Sequence, residues 1–241
     1  MNAWKFLQPG AVGLFSGFAW PTPGAGEPGA WVEVELPVVR ALRGVHAVGT
    51  AWMLDWLDDE LWEIELDGEI IDEDGLLVAA RGRLLRRVSD WDAEAAAALA
   101  HSCVLAVRDA AAESLEASGA AADAAELGDL TDHASLGAFV AKAAPAPGSP
   151  LAFLGDCVLL ASGRRPEGEP ERPGGEQQAS PAAIAANLGY VAAAAVGVIA
   201  MGAGGQAEAF GSSFARERGR QHAWLTERLQ LEVVATAYRA D

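Results

Sequence analysis

At 241 residues and 51% hydrophobic content, the chain is long enough for one large domain or two small ones and apolar enough to build a core. A formal net charge of −17 and a pI near 4.5 exclude nucleic-acid phosphates and anionic membrane surfaces as partners, because both would repel such a surface. Two cysteines, Cys103 and Cys157, form neither a disulfide framework nor a metal-ligand set, and they point to a reduced, cytoplasmic setting.

The opening MNAWKFLQPGAVGLF has no charged stretch followed by a long apolar run, so no signal peptide is expected. Glycine and proline through 21–30 predict irregular strands and a long loop. In WVEVEL (31–36), Val32, Val34 and Leu36 share one face and Glu33 and Glu35 the other, the period of a half-buried strand. TAWMLDWLDD (50–59) predicts a short helix laid across the sheet. LWEIEL (61–66) repeats the strand pattern, with Trp62, Ile64 and Leu66 inward. Asp67-Gly68 and Asp74-Gly75 then predict two hairpin turns, giving strands at 61–66, 69–72 and 76–88, the last bent at Gly82.

Seven of the eight tryptophans lie in the first 91 residues, and alanine runs begin at Asp92. From there the chain predicts helices, the first capped near Ser89-Asp90 and carrying a stripe of Leu99, Cys103, Ala106 and Ala110. A second helix is expected around 130–143. SPLAFLGDCVLLASG (149–163) fits a short helix or a strand equally well. The Pro- and Gly-rich segment 163–181 predicts a mobile loop. Residues 182–205 are uncharged and long enough to span a membrane, but they are mostly alanine and glycine with Asn187 inside, which predicts a buried helix. A last helix is expected at 206–230, with EVVATAYRAD as a late strand. The fold class is therefore α+β: an N-terminal antiparallel, tryptophan-rich β-sheet (1–90) packed against a C-terminal alanine-rich helical layer (91–241), together one composite domain.

Several residues are candidates for chemistry. His46 lies near the acidic segment holding Asp55 and Asp59, and a carboxylate-oriented histidine suits proton transfer. His101 and Cys103 make no dyad, because residues two apart on a helix point about 200° away from each other. The carboxylates between Asp55 and Asp74 lack the spacing of a calcium loop, so no metal and no cofactor is expected. MGAGGQAEAF (201–210) reads as a helix connection and not a phosphate loop. RGRLLRR (81–87) supplies Arg83 and Arg86 either to the acidic helices after residue 91 or to an anionic ligand. Trp20, Trp31, Trp52, Trp56 and Trp62 would line an aromatic pocket or fill the core under a small sheet.

WKFLQPGAVGLFSGFAW (4–20), RGVHAV (43–48), LDDELWEIELDGEI (57–70), GRLLRRVSDWD (82–92) and RERGRQHAWLTERLQL (216–231) resemble a group of actinobacterial proteins with a β-rich front and an alanine-rich helical tail. The resemblance covers both halves but skips the middle, and it implies an architecture without an assigned activity. Where cysteines flank the motif histidine in that group, this chain has Leu42 and Val48. The order of GVHA and the acidic strand after it is also similar in arrangement to the front of ADP-ribosyltransferases, although no glutamate stands at a catalytic position.

The first functional expectation is a binding protein whose tryptophan-rich half takes a hydrophobic small molecule or a protein, its small-residue helices also suiting association between copies. The alternatives are a cofactor-independent enzyme working through His46 with Asp55 or Asp59, and an anion or nucleotide binder built on the arginine strand.

Overall fold

A computed structural model describes residues 1–34, 44–73, 75–164, 179–204 and 207–231. The protein is α+β: antiparallel strands come first and helices follow. It divides into two compact units, one formed by Met1–Ala95 with the described part of His222–Asp241, the other by Ala96–Gln221.

The first unit is a small closed sheet. Its strands are β1 (Asn2–Leu7), β2 (Val32–Glu33), β3 (Val45–Val48), β4 (Glu60–Glu73) and β5 (Leu76–Arg87), with a 3-10 helix at Thr50–Asp55. β4 pairs with β1, β1 with β3, β3 with β5 and β5 with β4, so the ring closes, and β2 adds to β5 through Val32 opposite Gly82. Closure on itself is how a short antiparallel sheet hides its edges. One face of the pleat forms the core: Ala3 and Leu7 of β1, Val45 and Ala47 of β3, Trp62, Ile64 and Leu66 of β4, and Leu77 and Ala79 of β5. Burying each large apolar side chain of this set contributes about 1.5–3 kcal/mol. Trp20 and Ala11, from the segment after β1, join the same cluster.

The alternation read in 61–66 holds, with Glu63 and Glu65 on the opposite face from the core. There they meet the arginines of β5. Arg83 pairs with Glu65 at 2.6 Å and Arg86 with Glu63 at 2.7 Å, while Arg81 pairs with Asp67 and Glu33. Such partly exposed pairs add about 0–1 kcal/mol each, so their main effect is on strand register. The basic strand is thus matched to carboxylates of its own sheet, and this accounts for Arg83 and Arg86 without the acidic helices or an anionic ligand.

Asp67-Gly68 does not form the expected hairpin. β4 runs through it with a register shift between Asp67 and Ile70, and Gly68 takes φ +81° at this bulge. The hairpin is the next turn, where Gly75 has φ +96° between Glu73 and Leu76. Among its described residues WVEVEL contributes the two of β2, with Val34 N–H donating to Ala80 O; Glu35 and Leu36 lie outside the described residues.

Among the described residues six helices follow: α1 (Ala93–Ala117), α2 (Ala121–Gly128), α3 (His133–Ala143), α4 (Pro150–Ala161), α5 (Pro181–Gly204) and α6 (Ala207–Arg228). Asp92, two residues after the expected cap, starts α1 by accepting from Ala95 N–H. The ambiguous 149–163 segment is a helix, which its ends explain. Ser149 Oγ accepts from Ala152 N–H, and Pro150 occupies the first turn, where no backbone donor is needed. In the second unit α3 packs on α4 and α4 on α5. α1 buries Leu99, Cys103, Val107 and Ala111, with Ala106 and Ala110 only half-buried, so the stripe steps by four throughout. α1 and the Pro181–Gly202 stretch of α5 are long and apolar enough to cross a membrane, and 44% and 50% of their apolar windows are buried inside the protein. The expected loop at 163–181 and the expected late strand lie largely outside the described residues.

Candidate functional site

The first unit holds a cavity of about 610 Å3, within the range of small-molecule sites. It is lined by residues of β1 and β3, strands that share one register pair, Trp4 opposite Val48. Trp4, Phe6, Phe15, Phe18, Trp20 and Trp56 supply its aromatic lining, and Lys5, Glu33, His46 and Asp58 its ionisable groups.

Sequence order explains the construction. β1 alternates, so Ala3 and Leu7 face the core, and Lys5 between them stands in the same row, opposite the core residue Trp62 of β4. Its ammonium donates to His46 O at 2.5 Å and lies 4.8 Å from the centroid of the Trp20 ring. Burial pulls its pKa down to about 8, and no carboxylate among the described residues pairs with it. The next segment turns back through bridges of Gln8 with Val12 and of Val12 with Ala19. Buried Glu60 holds this turn: its carboxylate accepts from Ala11 N–H at 3.0 Å, Gly10 N–H at 3.2 Å and Trp62 Nε1–H at 3.0 Å. The following loop, 13–18, is closed by its own backbone bonds, from Gly13 N–H to Phe18 O and from Gly17 N–H to Gly13 O. It sets Phe15 edge-on to Trp56 (6.1 Å) and Phe18 edge-on to Trp20 (5.8 Å). Phe15 is nevertheless 83% exposed, and Leu14 and Phe18 are exposed beside it.

His46 lines the cavity as a half-buried residue, and its pKa is lowered by burial and by the nearby Lys5 charge, partly offset by the Gly44 backbone. Neither expected carboxylate joins it. Asp55 ends the 3-10 helix, exposed, and Asp59 lies just before β4; neither lines the cavity. No carboxylate among the described residues is hydrogen-bonded to the His46 ring, so the proton-transfer pair is not assembled. Two other carboxylates line the cavity, Glu33 of β2 and Asp58. Asp58 is the more buried. Its Oδ1 accepts from Asp59 N–H at 2.8 Å, and its buried Oδ2 has no partner among the described residues. Burial raises its pKa, helped by the charges of Asp59 and Glu60 and opposed by the Asp59 N–H. The Trp4 indole N–H is likewise buried without an acceptor among the described residues.

No family model, no curated protein and no solved structure matches the chain. The site therefore rests on its own geometry.

Of the five expected tryptophans, Trp20 and Trp56 line the cavity. Trp31 lies under the guanidinium groups of Arg81 and Arg83, at 4.7 and 4.5 Å. Trp52 is 40% exposed and lies against Gly75, while Trp62 is a core residue bonded to Glu60. Trp4 and Lys5 were missed. The clue was available, since Ala3, Lys5 and Leu7 alternate with Trp4 and Phe6, but both rows of WKFL contain bulky apolar groups and the inner row is not evident.

The second unit brings together different groups. His101 Nδ1 and His133 Nε2 lie 3.1 Å apart, and His133 is lowered by burial and by His101. Both cysteine thiols are pushed up to about 12, first of all by burial, so neither is a thiolate nucleophile near neutral pH. Buried Gln221 donates to Gly189 O and to Glu217, whose carboxylate also takes two bonds from Arg220. This network joins α5 and α6 and leaves no reactive group open. Among the described residues no group of three or more His, Cys, Asp or Glu is placed to hold a metal ion.

Proposed function

We propose that this is a cytoplasmic small-molecule binding protein whose β unit takes a hydrophobic, ring-bearing ligand into the cavity between β1 and β3. The observation that carries the reading is the cavity itself: about 610 Å3, with tryptophan and phenylalanine on its walls and few polar groups among them. The exposed apolar residues of loop 13–18 support it, since Leu14, Phe15 and Phe18 stand at the cavity and gain cover when a ligand fills it.

The test uses N-phenyl-1-naphthylamine, an uncharged aromatic fluorophore. Saturable binding with a fluorescence rise is expected, weakened about tenfold or more by Trp56→Ala, the loss of one large aromatic contact. Trp31→Ala, which removes an indole outside the cavity, leaves binding unchanged. Absence of saturable binding, or equal effects of the two substitutions, removes the proposal. A pull-down in which the Trp56 surface captures a protein while the fluorophore does not bind would favour the protein-partner reading.

A further inference from the structure

Resting on the cavity reading, we infer that the ligand is an apolar organic acid, and that Lys5 is the residue that recognises its anionic group.

The inference starts from where the cation is. Lys5 occupies an interior position of a closed sheet, between Ala3 and Leu7 in β1 and opposite Trp62 in β4. From that row its side chain lines the cavity, and its ammonium donates to His46 O of β3. That carbonyl and the Trp20 ring are the two contacts of its ammonium group among the described residues. Neither carries a negative charge, and an ammonium has three donors. The arginines of β5 are matched to carboxylates, Arg81 to Asp67 and Glu33, Arg83 to Glu65, Arg86 to Glu63 and Arg87 to Glu60. Lys5 has no carboxylate partner among the described residues.

A buried charge without a counter-ion is costly, and the cost is removed when an opposite charge is placed beside it in the same apolar setting. A ligand with a ring system for the aromatic walls and one anionic group for Lys5 satisfies both parts of the cavity. Two carboxylates also line it, neither of them bonded to Lys5: Glu33 faces Arg81 at 3.3 Å, and Asp58 Oδ1 accepts from Asp59 N–H at 2.8 Å. A cationic ligand would meet the Lys5 charge unshielded, and a neutral one would leave it unpaired.

Two fluorophores with nearly the same aromatic body separate these cases. 8-Anilinonaphthalene-1-sulfonate carries an anionic group that N-phenyl-1-naphthylamine lacks. The expected result at pH 7 is that the sulfonate binds at least about tenfold more tightly, a difference of about 1.4 kcal/mol. Lys5→Met should abolish that preference, and a near-ultraviolet circular dichroism spectrum like that of the unmutated protein shows that the variant is folded. Raising the pH from 7 to 9.5 should weaken sulfonate binding to the unmutated protein and should not weaken binding of the neutral fluorophore. The other titratable groups facing the cavity are His46, Asp58 and Glu33, so the same pH series on Lys5→Met subtracts their contribution. Equal affinities for the two fluorophores, or a preference that survives Lys5→Met, overturns the inference and leaves the cavity reading standing. Binding of neither overturns both. If Lys5→Met does not fold, the pH series on the unmutated protein decides: no loss of sulfonate affinity on raising the pH overturns the inference.

Discussion

Lys5 changes what is expected of the protein's stability as well as of its ligand. Its pKa is about 8 in the folded chain against 10.5 for the free side chain. Between those values the unfolded chain holds more protons, so stability rises with pH across the interval. Below it the folded state carries the full cost of the buried charge. Lys5→Met is therefore expected to stabilise the protein by about 1–3 kcal/mol at pH 7, once the lost bond to His46 O is set against the removed charge. The gain should shrink as pH approaches 10.5. Denaturant melts of both proteins from pH 6 to 10.5 check this, and a destabilised variant at pH 7 would show that the charge is already compensated. A lysine in an interior row reads as solvent-facing in any pattern of apolar and polar residues, which is why the sequence pointed to His46 and passed over its neighbour in space. The misplaced carboxylate has a similar cause. Asp55, Asp58 and Asp59 follow one another through a 3-10 helix and a turn with no fixed period, and which of the three faces inward depends on the direction of that turn.

Individual elements were legible where a period or a cap marked them. β4 can be read because Trp62, Ile64 and Leu66 alternate with glutamates, and its partner because Asp74-Gly75 marks a turn before it; that its arginines stand opposite those glutamates follows from the register. Asp67-Gly68 was misread because a hairpin turn and a bulge both favour glycine at positive φ; the partner strand, which continues past it through Arg81 and Ala79, makes it a bulge. Gly82 is closely packed within this ladder. A Cβ there would lie 2.7 Å from Val45 Cγ1 and 3.2 Å from Glu65 O. Gly82→Ala is expected to destabilise by about 1–3 kcal/mol, since a buried β-branched side chain and a backbone oxygen have little room to give. Gly24→Ala, with nothing within 4 Å of the added carbon, should leave the urea midpoint unchanged. Equal midpoints for the two variants would mean that the strands relax freely around Gly82.

At the scale of the whole chain, composition marks one change, near Asp92, where tryptophans give way to alanines. It does not mark the second, at His222, where the chain returns to the first unit inside a continuous helix. Leu225, Leu229 and Leu231 are buried beyond that point. A fragment ending at Ala95 lacks them, and it is expected to melt at a lower temperature than the full chain and with a broader transition, as followed by near-ultraviolet circular dichroism. A fragment with the same sharp transition would show that the ring is self-sufficient. The ring itself is fastened unevenly: a long ladder joins β4 to β5, and a single register pair joins β1 to β3. A hoop closed in this way loosens at its clasp. Amide hydrogens near Trp4 and Val48 should exchange through brief local openings, while those of Ile64 and Leu84 wait for global unfolding. A guest could then slip in and out with most of the hoop intact.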